Sequence, residues 1–286
     1  MRRFIVERST TRQGPGSDAL TYAFEELLGE STAAARRLLD DWFFYKQLED
    51  ASWANGRASR GVLLDAQRVG AYLSACPRGI VIATIHLGDY LEGLRQLLKW
   101  IAQKHVFVVR RKAWSEIEQR AFERIAPEGT DWTVLRTGRG AAATAVRALR
   151  RGDALIVFYD LPRGFGPTIE VDFFGRRANF VRGPAEIALL GGADVLAVFA
   201  HYEAPGSGCV VEAMPVIRAR PSTREARNSR VEEISQRLCK WAEQHIRRHP
   251  AQWANWPWIH ELMMRAPEHQ SDAEAISPTS GIVKTQ

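Results

Sequence analysis

The chain has 286 residues, 45% hydrophobic and 25% charged, which fits a folded soluble protein with one sizeable core or two small domains. The formal charge of +6 points to an anionic partner (nucleic acid, anionic lipid or a phosphate-bearing cofactor) or simply to a solvated surface. No apolar run approaches the roughly 20 residues that span a bilayer. The basic start Met1–Arg8 is too short in its apolar part for a secretory signal. Cys76, Cys209 and Cys239 are scattered without metal-type spacing and fit a reducing cytoplasm.

In chain order, residues 1–18 read as a polar, Gly/Pro-punctuated lead-in. Residues 19–50 are helical in pattern and contain Trp42-Phe43-Phe44-Tyr45-Lys46 close to Arg36 and Arg37. That cluster has two readings, aromatic core packing or a membrane-surface helix. Residues 63–74 form a second amphipathic helix. Arg78 to Ile82 is a buried strand, and Leu91, Leu94, Leu97 and Leu98 then recur at helical spacing.

Between that strand and helix stands His86, at a strand's C-terminal end, where open α/β sheets bind ligands. A histidine there suits general-base work, or is held by hydrogen bonds as a structural residue. Asp89-Tyr90-Leu91-Glu92 is a capping-box pattern, which by itself accounts for both acids. A second buried strand, Lys104–Arg111, runs out into Arg110 and Arg111, which can clamp a phosphate or carboxylate or serve as a solvated exit. Trp114–Ile125 is helical and Thr133–Leu135 a short strand.

Arg136-Thr137-Gly138-Arg139-Gly140 leads into an Ala-rich helix over 141–150, a loose anion-site pattern that lacks the Walker A residues. Ala154–Tyr159 is a third buried strand ending on Asp160. Val171–Arg177 reads as a hairpin, 185–190 as a helix opened by Gly183-Pro184, Val195–Ala200 and Cys209–Pro215 as strands, and 224–248 as a long charged helix. Residues 249–260 hold Trp253, Trp256 and Trp258, which read as C-terminal packing ahead of a binding platform, and 266–286 reads as a polar, disordered tail. The alternation of βα units over 78–200 argues for one α/β domain, residues 19–265, with a mostly parallel or mixed sheet flanked by helices behind an N-terminal helical segment.

Several stretches, in this order, resemble the late lauroyl/myristoyl acyltransferases of lipid A biosynthesis, within the lysophospholipid acyltransferase-like superfamily. They are Ile85–Tyr90, Val108–Arg111, Leu149–Gly152, Asp160, Val171–Gly175, Gly183–Ala188, Gly192–Leu196 and His249–Trp253 followed by Trp258-Ile259-His260. No single motif is decisive; the order and spacing carry the likeness, over about residues 20–265.

The resemblance implies a glycerolphosphate-acyltransferase-like fold and acyl transfer from an acyl carrier protein or CoA thioester to a hydroxyl, less often an amine, of a glycolipid-like acceptor. It implies no metal and no cofactor beyond the thioester co-substrate. His86 takes the place of the base in the family's H-x4-E/D motif. The motif's acid position is Leu91 here, with Asp89 and Glu92 beside it, so Glu92 is the expected partner and Asp89 its rival. Arg110, Asp160 and Arg182 are expected to meet substrate, and Phe174 and Gly175 to shape an acyl channel or simply to pack as a hairpin. Many relatives carry a membrane-spanning N-terminal helix, and this sequence shows none. A peripheral protein on the cytoplasmic face of the inner membrane, held to anionic lipid by basic and aromatic residues, is therefore expected. The displaced acid also leaves room for a non-catalytic lipid- or carrier-binding protein, and thioester hydrolysis is a further possibility. Nucleic-acid binding is the weakest reading, since the basic residues are dispersed and no recognition motif is present.

Overall fold

A computed structural model describes residues 15–55, 61–101, 103–111, 116–126, 128–204, 207–220 and 223–263. Most of the expected lead-in and the whole expected tail lie outside the described residues. The elements are α1 (Pro15–Leu28), α2 (Thr32–Asn55), β1 (Gly61–Leu63), α3 (Ala66–Ala75), β2 (Ile80–Thr84), α4 (Tyr90–Leu98), β3 (Val106–Arg110), α5 (Glu116–Ile125), β4 (Trp132–Arg136), α6 (Ala141–Arg151) and β5 (Ala154–Phe158). They continue with β6 (Thr168–Phe173), β7 (Arg176–Val181), α7 (Gly183–Gly191), β8 (Asp194–Tyr202), β9 (Cys209–Ala213), β10 (Ile217–Arg218), α8 (Arg224–Arg248) and α9 (Ile259–Met263).

The expected N-terminal helical segment consists of two helices, separated at Gly29, which adopts a left-handed φ of 72°. The helix expected over 63–74 begins later, because Gly61–Leu63 instead pairs with β9 as an edge strand. Helix α5 starts at Glu116, and Trp114 lies outside the described residues.

The main sheet has the order β1-β9-β8-β2-β5-β3-β4, with β10 on β8. Strands β8, β2, β5, β3 and β4 run parallel; β9 is antiparallel to β8. The parallel strands are near-continuous apolar runs because both faces are covered. Side chains alternate across the sheet. Ile80, Ile82, Val108 and Ile156 face a cluster with Leu73 of α3, Leu94 of α4 and Phe122 of α5. Val81, Ala83, Leu155 and Val195 face the other cluster, with Leu149 of α6, Leu189 of α7, Leu238 of α8 and Phe24 of α1. This three-layer α/β architecture brings the C-terminal ends of β2, β5 and β3 to one edge. At the opposite edge the buried Lys104 ammonium donates to the carbonyls of Cys76, Arg78 and Gly152, at 2.8–3.0 Å.

The aromatic cluster of α2 is packing. Trp42 and Phe44 are buried, and the Trp42 indole donates to the Trp253 carbonyl at 2.8 Å. All three cysteines are buried and unpaired.

Behind the sheet's far edge His201 of β8 stacks on His249 at 3.9 Å, next to Glu212 of β9 and to His245 and Arg248 of α8. Burial, then the neighbouring His201 and Arg248, lower the His249 imidazole from 6.5 to about 4; burial also lowers His201. His245, 3.5 Å from its carboxylate, and Arg248 lower Glu212 to about 2. A histidine lowered in the folded state binds its proton more readily when unfolded, so its contribution is present above pH 6.5 and lost as pH falls toward 4. The Glu212 contribution is lost only below its ordinary 4.5. Unfolding free energies from urea melts are therefore expected to fall between pH 7 and pH 5, by on the order of 1 kcal/mol for half-buried His249. In His249→Asn that slope is expected to flatten.

Candidate functional site

The site is built where β2 and β5, neighbours in the sheet, end together. Their register pairs Thr84 with Phe158. Two residues beyond each partner stand His86 and Asp160, and the imidazole Nδ1 meets Asp160 Oδ1 at 2.8 Å. The backbone N–H of His86 donates to Asp160 Oδ2, also at 2.8 Å. Asp160 is wholly buried, whereas the His86 side chain is 23% exposed. A buried carboxylate on Nδ1 fixes that nitrogen as the N–H and leaves Nε2 as the acceptor. Among the described residues Nε2 has no partner, and His86 lines a cavity.

The ring is held flat by stacking on Phe158 at 4.3 Å and edge-on by Tyr90 at 5.3 Å. Tyr90 in turn donates to Glu49 of α2 at 2.8 Å. Gly88 makes the loop possible. Its φ is +56°, and a Cβ there would stand 2.5 Å from the Ala200 carbonyl oxygen, so the turn carrying His86 is drawn against β8.

Asp160 has two further donors that sequence reasoning missed. The Trp253 indole N–H reaches Oδ2 at 2.9 Å. The Asn255 amide reaches Oδ2 at 3.0 Å and the Asp160 carbonyl at 2.7 Å. Both come from the tryptophan-rich segment, whose richness marked it for packing; nothing local tied it to residues 86 or 160. Trp256 is fully buried, while Trp258 is 46% exposed and lines the cavity.

The expected partner of His86 is thus corrected. Glu92 is wholly buried on α4, its carboxylate taken by Arg95 at 2.5 and 2.6 Å and by Gln96 at 2.5 Å. Asp89 is the helix cap: Oδ1 accepts the Glu92 backbone N–H at 3.0 Å and Oδ2 the Tyr202 hydroxyl at 3.1 Å. Leu91, at the family motif's acid position, lines the cavity.

The cavity holds about 1040 Å³ and opens at the C-terminal edge of β2, β5, β3 and β4. Its walls are largely apolar, with Leu94, Val108, Leu135, Ala145, Val157 and Ile187 among them. Its charged groups are divided: Lys46, Glu49 and Asp50 come from α2, Glu261 from α9, and Arg110 and Arg111 from the end of β3. Arg111 lies over the Phe165 ring at 5.3 Å.

Arg182, just before α7, pairs with Glu186 at 3.0 Å, and its neighbours Val181 and Gly183 line the cavity. The expected channel residues sit elsewhere. Phe174, with a left-handed φ of 51°, tips the β6–β7 hairpin and packs on Phe173 and Trp256, capped by Arg247 at 4.6 Å. Neither it nor Gly175 lines the cavity. Among the described residues no group of three or more His, Cys, Asp or Glu is placed to hold a metal ion. None of the helices, searched over the same residues, is long and apolar enough to cross a membrane.

The fold and site together define an α/β domain whose histidine–carboxylate pair opens on a large, mostly apolar cavity. The chain belongs to the bacterial lipid A biosynthesis acyltransferase family, whose model matches residues 77–265. Membership gives it an acyltransferase role in lipid biosynthesis, with an acyl donor and a lipid acceptor in general terms. No curated protein matches the chain.

Proposed function

We propose that this chain moves a fatty acyl group from a thioester, carried by CoA or an acyl carrier protein, to a hydroxyl of a glycolipid-like acceptor. The observation that carries the reading is His86, held by Asp160 with Nε2 facing an apolar cavity. Nε2 removes the hydroxyl proton as the oxygen attacks the thioester carbonyl. The tetrahedral intermediate collapses with loss of the C–S bond, and the imidazolium returns its proton to the leaving thiolate. Asp160 holds the Nδ1–H and balances the imidazolium. Arg110 at the mouth suits a phosphate on either substrate. The acyl chain is placed along the apolar wall. Exposed Trp258 beside the cavity and the formal charge of +6 favour peripheral contact with an anionic membrane from the cytoplasmic side.

The binding-only alternative rested on a displaced acid. A carboxylate on Nδ1 at 2.8 Å supports the catalytic reading over it.

The test is purified protein with acyl-CoA and acyl-carrier-protein thioesters of graded length and a bacterial lipid extract, followed by thiol release and mass spectrometry. New acylated lipid supports the reading. Thiol release without acylated lipid replaces it by hydrolysis, and absence of both overturns it. In the same assay Ala145→Leu, which pushes methyl groups into the cavity from α6, is expected to disfavour the longest chains. Each methylene displaced from the wall costs about 0.8 kcal/mol, so kcat/KM for those chains is expected to fall roughly fourfold per methylene.

A further inference from the structure

The Asp160 carboxylate receives four N–H donors: the His86 backbone and ring, the Trp253 indole and the Asn255 amide. Three of these crowd Oδ2, which leaves Oδ1 for the imidazole alone. The Asn255 amide also lies 3.2 Å from His86 Nδ1. Because that amide nitrogen must donate to the Asp160 carbonyl at 2.7 Å, the short approach is between two donors that share one carboxylate.

The same segment holds the other side of the His86 loop. Ala254 N–H donates to the His86 carbonyl at 2.8 Å and Gly88 N–H to the Gln252 carbonyl at 2.9 Å. The Gln252 side chain bonds both backbone groups of Tyr202 at 2.8 Å, and Leu87 and Trp253 form an isolated bridge. The loop bearing the base is thus gripped between Asp160 and residues 252–255.

We infer that Asn255 and Trp253 are positioning residues: by saturating Oδ2 they fix the Asp160 carboxylate so that Oδ1 meets the imidazole, and so aim Nε2 into the cavity. The inference deepens the acyl-transfer reading and rests on it for its kinetic consequence; its structural content does not depend on turnover. A donor lost from Oδ2 lets the carboxylate rotate, and the imidazole with it. Misplacement on the scale of an ångström weakens proton transfer while leaving the apolar wall untouched.

The test uses the full chain with Asn255→Leu, similar in size but without donors, and Asn255→Ser, which returns a donor. Thermal melts identify the folded variants. Expected for Asn255→Leu is kcat lowered ten- to hundredfold with KM for the thioester within twofold of wild type, and partial recovery in Asn255→Ser. The low-field Nδ1–H resonance of His86, assigned by its absence in His86→Ala, is expected to shift or broaden in Asn255→Leu. Should that variant fail to fold, Trp253→Phe, which keeps a ring in the core but removes the N–H, is read in the same two ways. An unmoved resonance in a folded variant overturns the inference, as does an unchanged kcat in a wild type that turns over. If the wild type transfers nothing, the function falls and the resonance still decides the positioning claim.

Discussion

His86→Ala is expected to lower acyl transfer by about 10²–10⁴-fold, with the thioester KM little changed. The factor is that of a positioned general base. A lipid hydroxyl is a poor nucleophile until its proton is taken in the transition state, and Nε2 faces the cavity without a protein partner among the described residues. The ring is partly exposed and packed on Phe158 and Tyr90, so its loss removes contact area but leaves the sheet intact. Initial rates at saturating thioester, with the variant's melting temperature alongside, check this. An active, folded His86→Ala removes the histidine from the mechanism.

The second large effect separates two acids. Asp160→Asn keeps shape but replaces an acceptor facing four donors with an amide that must turn one N–H toward another donor. The imidazole is then free to take the wrong tautomer, and loss on the order of 10³–10⁴ in kcat is expected, the scale known for a carboxylate that orients a catalytic imidazole. Glu92→Gln should behave oppositely. Its carboxylate is buried against Arg95 and Gln96, and removing one charge from such a pair leaves the other without its partner. Stability is expected to fall by about 1–3 kcal/mol, with kcat of the folded fraction within threefold of wild type. Denaturant melts and kcat measured on the same preparations check both. A reversed pattern, kcat lost at Glu92 and kept at Asp160, returns the dyad to the local motif.

The alternation of apolar strands and capped helices made the fold legible. Val81 and Ile82 face opposite layers as their alternation requires, and α8 begins and ends where its pattern does. The edge strand β1 was hidden because three residues carry no readable period and pair only with β9, far along the chain. Strand-end logic singled out both His86 and Asp160. Their pairing depended on strand order, since β5 lies beside β2 only because β3 and β4 are placed outside it. Glu92 was attractive because it is near in sequence. His86, however, stands in the loop before α4, while Glu92 lies in that helix's first turn with its carboxylate toward Gly61 and β1. Asn255 carried no local signal at all.

The residues that meet at Asp160 lie far apart along the polypeptide: 74 positions separate it from His86, and 95 separate it from Asn255. A ribosome releases them in that order. A nascent chain that has reached β8 already owns both members of the dyad, yet neither Trp253 nor Asn255 has emerged to close over them. Non-local closure of this kind is slow. On the acyl-transfer reading, a chain that stops before residue 253 is therefore expected to hold His86 and Asp160 without the two donors that close over them, and so to transfer nothing.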